Sequence, residues 1–189
     1  MAGTLIERAI GALRLDAATY EEVEADATAM NQAMLVVVVA SIAAGIGTSA
    51  SGAGGIAGVI GATIGALVAW FVWAATVYFI GTRLLPGPNT QADLGQLLRT
   101  TGFAAAPGAI GILGVIPGIG GLISTVAGLW QLAAMVVAVR QALDYESTGR
   151  AVLVCVIGFL AYVAVFALIL GVLFSATGAL VGAPSAITP

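Results

Sequence analysis

This chain contains no lysine, no histidine and a single cysteine, and only 8% of its 189 residues are charged. Each absence removes a chemistry. Without histidine there is no Ser-His dyad, no His-x-x-Glu-His zinc site and no imidazole base. Without lysine there is no phosphate-binding Gly-x-x-x-x-Gly-Lys loop. No basic cluster exists to grip nucleic acid. Cys155 is alone, so no intramolecular disulfide can form. The first thirty residues lack the basic start, apolar stretch and cleavage site of a signal peptide, so the first crossing is expected to act as the insertion signal. The expectation is a non-enzyme with no cofactor and no metal.

What is present is apolar: 60% of the residues are hydrophobic. Soluble domains carry roughly a quarter charged residues, so a water-soluble fold is excluded. The fold class expected is all-α: a polytopic bundle of five transmembrane helices. A helix needs about 20 apolar residues to span the hydrocarbon. Crossings are read at about Gln32 to Ser49, Ile56 to Leu85, Thr101 to Ile116, Leu122 to Val139 and Ala151 to Phe174. The six arginines occupy alternate gaps, and so one side of a five-crossing chain: Arg8 and Arg14 before the first run, Arg83 and Arg99 after the second, Arg140 and Arg150 after the fourth. Arginine-bearing loops resist translocation, which predicts a cytoplasmic N-terminus and an external C-terminus. The domain plan is a cytoplasmic amphipathic and acidic segment (1–30), the five-helix membrane domain (31–174) and a flexible external tail (175–189).

The third run is short and carries Pro107, Gly108, Gly111 and Gly114. A helix starting near Leu94 recovers the missing length, with Arg99 snorkelling to the headgroups and a kink at Pro107. Pro117-Gly118 then makes a tight outer turn. Gly54, Gly58, Gly61 and Gly65 form a stripe on crossing two, which in lipid favours close helix approach. It predicts packing or oligomerisation through Gly58, Gly61 and Gly65; the other reading is a glycine-lined path.

At the N-terminus, Leu5, Ile6, Ala9, Ile10 and Leu13 recur at helical spacing around Glu7, Arg8 and Arg14. This is an amphipathic helix for the membrane interface or for a partner's groove. Six of the nine acidic residues precede Asn31. Thr19 and Glu22 have capping-box spacing, which predicts a helix starting near Tyr20. Polar groups inside the crossings are mild, namely Ser41, Thr63, Thr76, Tyr78, Ser124, Thr125, Gln131 and Tyr162. Gln131 is expected to bond a neighbouring helix, and Arg140 to pair with Asp144 at i, i+4. The residues expected to face a partner are Tyr20, Glu21, Glu22, Glu24, Asp26, Arg99, Arg140, Asp144 and Arg150. Pro107 and Gln131 join the glycines as packing and kink positions.

Several segments together resemble the bacterial branch of the Yip1 family of integral membrane proteins. They are Tyr20-Glu21-Glu22-Val23-Glu24-Ala25-Asp26, Tyr78-Phe79-Ile80-Gly81, Asp93-Leu94-Gly95-Gln96-Leu97-Leu98-Arg99 and Gly102-Phe103-Ala104-Ala105-Ala106-Pro107. The resemblance covers roughly Leu5 to Leu170. It implies a helical membrane domain with a cytoplasmic N-terminus. Eukaryotic relatives are associated with small prenylated GTPases and vesicle traffic, and oligomerise; of their Asp-Leu-Tyr-Gly-Pro segment only a fragment stands here. The expected function is membrane organisation or scaffolding in the cell membrane. It would act through the cytoplasmic face, with the lipid bilayer, a homo-oligomer and a cytoplasmic protein as partners. The alternative is a small-solute channel or facilitator.

Overall fold

A computed structural model of the chain describes residues 3–49 and 55–181, and every regular element among them is helical. Two short helices, α1 (Leu5–Leu13) and α2 (Ala17–Ala25), precede α3 (Met30–Ser49) and α4 (Gly55–Phe79). A π-helical turn, Ile80–Leu84, ends α4; α5 (Leu94–Phe103) leads into a 3₁₀ segment, Ala106–Val115, and α6 (Gly120–Ala142) and α7 (Thr148–Val181) follow. Five helical segments are long and apolar enough to cross a membrane: Ala27–Thr48, Ile56–Leu84, Leu94–Val115, Gly120–Ala142 and Thr148–Leu168. Helix α7 continues past the expected end at Phe174, while residues 182–189 of the expected tail lie outside the described residues.

The side-chain distribution is that of a lipid-embedded bundle. Small residues fill the core: Ala33, Ala104, Ala134, Ala138 and Ala142 are all buried. Many of the bulky ones point outward, with Ile56 83%, Leu122 68% and Leu160 65% exposed. Water would not tolerate so much exposed apolar area, whereas lipid tails leave close backbone approach as the main drive to association.

The third crossing begins at Leu94, as the sequence predicts, with Asp93 as N-cap and Gln96 closing a capping box. Its second half is not a kinked α-helix but a ten-residue 3₁₀ segment with Pro107 in its first turn. The 3₁₀ rise of about 2.0 Å per residue carries these ten residues about 20 Å, and α5 adds about 15 Å. A short, glycine-rich run thereby spans the hydrocarbon.

The 3₁₀ geometry also explains the glycine spacing. Three residues make one turn, so Gly108, Gly111 and Gly114 share a face, and that face lies on Ala40, Ala44 and Gly47 of α3. A methyl group at Gly111 would stand 3.2 Å from the Ala44 Cα, and one at Gly47 would stand 2.0 Å from the Gly111 carbonyl oxygen. This seam, and not the stripe on crossing two, is where small residues bring backbones together within the chain. Gly58, Gly61 and Gly65 are exposed, and a methyl at Gly61 or Gly65 would meet nothing within 4 Å. Gly54 lies outside the described residues. Gly118 adopts φ +84° in the turn before α6, which suits the expected Pro117-Gly118 turn.

Candidate functional site at the arginine-bearing end

The hairpin of α1 and α2 folds back on the bundle. Thr4 caps α1 in a capping box with Glu7. Asp16, not Thr19, caps α2, and the Thr19 hydroxyl donates to Asp16 at 2.8 Å. A methyl at Gly11 would lie 2.1 Å from the Thr19 hydroxyl oxygen, so glycine lets the two helices touch. Arg8, one of the polar residues between the apolar positions of the amphipathic helix, has its side chain buried, donating to Glu22 at 2.9 Å, Asp26 at 2.6 Å and Gln32 at 3.0 Å. Leu5, Ala12 and Leu13 turn inward with it, leaving Ile6 and Ile10 exposed. The Trp130 indole N–H donates to the Leu13 carbonyl at 2.9 Å, fastening the hairpin to α6.

Several of the residues expected to face a partner are spent inside the molecule. Tyr20 is fully buried, its hydroxyl reaching the Ala12 carbonyl at 3.4 Å; burial holds that hydroxyl protonated well above its ordinary range. Arg99 does not snorkel. It is buried and donates to the Val23 and Glu24 carbonyls, two of the acceptors that the end of α2 leaves without helical partners. A cation there also suits the helix dipole. Arg140 makes no ion pair with Asp144, which takes φ 51° and ends the helical register. It donates instead to the Tyr145 carbonyl at 3.1 Å and the Glu146 carbonyl at 3.2 Å. Arg150 donates to the Pro86 carbonyl at 3.0 Å and lies over the Tyr145 ring.

Tyr145, which sequence reasoning missed, is the pin of this end. Its hydroxyl donates to the Leu85 carbonyl at 2.8 Å and to the Gly81 carbonyl at 3.2 Å, closing the backbone acceptors left by the π-helical turn. Thr90 donates to the Leu143 carbonyl at 2.8 Å, and Asn89 donates to Glu146 at 3.2 Å. Gln96 donates to Glu24 and Gln141 to Glu21, joining α2 to α5 and α6. No spacing rule announces these contacts, since each joins segments more than 50 residues apart.

The outward charge at this end is mixed, with Arg14, Arg83 and Arg150 exposed as well as several carboxylates. Glu21, Asp144 and Glu146 are exposed around a depression of about 550 Å³ that Asn89, Arg140 and Tyr145 also border. Burial, reinforced by Asp144 nearby, pushes the Glu24 carboxyl up to about 7. Asp26 goes the other way: the Thr28 hydroxyl, the Arg8 guanidinium and the Thr28 amide hold it down at about 2. Among the described residues, no group of three or more His, Cys, Asp or Glu is arranged to hold a metal ion.

Deeper in the bundle, Ser41, Thr63, Thr76 and Thr125 donate to carbonyls of their own helices. Gln131 does not bond a neighbouring helix as expected; among the described residues its amide has no hydrogen-bond partner, and its oxygen lies over Gly108. Among curated proteins and solved structures, none matches this chain. The sequence profile of the Yip1 domain family matches residues 16–184, all five crossings included. With that match and this helical architecture, the chain belongs to the Yip1 domain family of multi-pass membrane proteins.

Proposed function

We propose that this chain is a non-enzymatic scaffold of the bacterial cell membrane, which docks a cytoplasmic protein on its arginine-bearing end. In this reading the N-terminus is cytoplasmic and the C-terminus external, as the arginine distribution predicts. The observation that carries it is the platform itself. The hairpin, the loop before α5 and the turn after α6 are tied together by Gln141–Glu21, Gln96–Glu24 and Asn89–Glu146 hydrogen bonds. Residues held this way present a preorganised surface, which lowers the ordering cost of binding. Its unneutralised carboxylates at Glu21, Asp144 and Glu146 select a partner segment rich in Arg or Lys. The glycines of α4, outward-facing and without intrachain neighbours at Gly61 and Gly65, support self-association in the bilayer.

A photo-crosslinking amino acid at Asn89, used in native membranes, tests the docking. The reading expects a discrete protein adduct that weakens in a Glu21→Gln, Asp144→Asn, Glu146→Gln triple variant of unchanged thermal stability. Adducts insensitive to that loss of charge would remove it.

A further inference from the structure

A cavity of about 410 Å³ lies inside the bundle, between α3, α4, α5, α6 and α7, well away from the acidic platform. That volume falls within the range of small-molecule pockets, about 300–1,000 Å³. Its walls are almost wholly apolar and carry no charged residue. Two of the polar groups that line it are already used: the Trp70 indole donates to the Thr101 hydroxyl at 3.1 Å, and the Trp73 indole to the Met135 sulfur at 3.0 Å. Two others are not. The Gln131 amide and the Tyr162 hydroxyl both line the cavity, and neither has a hydrogen-bond partner among the described residues.

Gln131 is the middle residue of α6, about 16 Å of helix from either end. The Gln131 side chain is half-buried with its polar atoms open to the cavity and not sealed in the core, so in hydrocarbon the amide gains by finding an acceptor there. Gly108, with no side chain, is what lets the amide lie against the 3₁₀ segment: a methyl there would come within 3.1 Å of its oxygen. The Trp73 and Tyr162 rings, which also line the cavity, meet edge to face at 5.9 Å. Gly128, Leu132 and Phe159 line the cavity and are exposed on the outer surface, so it opens sideways toward the lipid between α6 and α7.

We propose that this cavity is a binding site for an uncharged, lipid-soluble molecule whose carbonyl group accepts from the Gln131 amide and the Tyr162 hydroxyl. The missing charge excludes anions and cations, the lateral mouth admits a ligand from the bilayer, and the two free donors select a carbonyl over a plain hydrocarbon. Such a carbonyl has two sources: the ester of a bilayer lipid whose chain enters the cavity, or a free lipophile such as a quinone. The site stands independently of the scaffold reading, since it shares no residue with the acidic depression.

The test uses the full-length protein, purified in mild detergent. Native mass spectrometry reports any retained lipid, and titration with a decyl-substituted benzoquinone reports binding through quenching of Trp70 and Trp73. A saturable quench is expected, weakened about tenfold or more by Gln131→Leu and measurably by Tyr162→Phe, with both variants melting no lower than the parent. Trp130→Phe should keep the same half-saturation, because Trp130 lies outside the cavity. A retained lipid displaced by the quinone assigns the carbonyl to a bilayer ester; a saturable quench with no retained lipid assigns it to a free lipophile. Quenching that rises linearly and equally in all variants, with no retained lipid, would overturn the proposal. Equal displacement by decylbenzene, which has no carbonyl, would overturn it as well.

Discussion

Three of the six arginines do the same physical work at this end of the molecule. Arg99, Arg140 and Arg150 each donate to backbone carbonyls that no helix ladder satisfies. Arg8 differs, because its partners are carboxylates and its side chain is buried. Arg8→Met should therefore strand Asp26 and Glu22 and lower stability by about 2–3 kcal/mol, read as a fall of ~5–10 °C in melting temperature. Exposed Arg14→Met should change little, and equal melting of the two variants would contradict the buried network. Glu24 supplies a pH test. Its folded pKa, about 7, exceeds its ordinary 4.5, so the native state binds the extra proton between those values. Stability from this group is complete below pH 4.5 and lost as pH rises through 7. Glu24→Gln should match the parent's melting temperature near pH 4.5 and exceed it by ~2–4 °C above pH 7. Asp26, held at about 2, has the opposite sign: its contribution is present above pH 3.8 and fades as pH falls toward 2.

At the level of elements, the 3₁₀ segment and α3 form the tightest seam. The signal for it was present in the sequence as a three-residue glycine period from Gly108 to Gly114, but a period of three has meaning only once the backbone is known to be 3₁₀. The four- and three-residue spacing of the α4 glycines was easier to see, and the fold leaves that face unpartnered. Gly47→Ala and Gly111→Ala should each destabilise the bundle by ~1–3 kcal/mol through forced backbone shifts. Gly61→Ala should leave stability unchanged or slightly raised, since the new methyl meets nothing within 4 Å. Parallel thermal-shift curves for the three variants decide this, and indistinguishable curves would refute the seam.

For the whole molecule, two predictions concern orientation and assembly. With Cys155 replaced by Ser, a cysteine at Asn89 should resist a membrane-impermeant thiol reagent in intact cells and react once they are permeabilised. Labelling from outside would reverse the topology. Replacing Gly58, Gly61 and Gly65 together by Leu should shift any oligomer toward monomer in mild detergent while the melting temperature holds. An unchanged size distribution would show that the outward stripe faces only lipid.

The crossings, and the start of the third at Leu94, could be read from the chain alone. Lipid demands a long apolar run from each spanning segment whatever its neighbours are, so hydropathy carries that information locally. Roles set by neighbours could not be read. Arg8 read only as a polar position of an amphipathic helix until Glu22, Asp26 and Gln32 closed on it, Tyr20 looked outward until α2 lay against α6, and Gln131 looked bonded until the helices left a cavity beside it. Burial, pairing and vacancy at such positions are properties of several distant segments at once, and only their packing in three dimensions decides them.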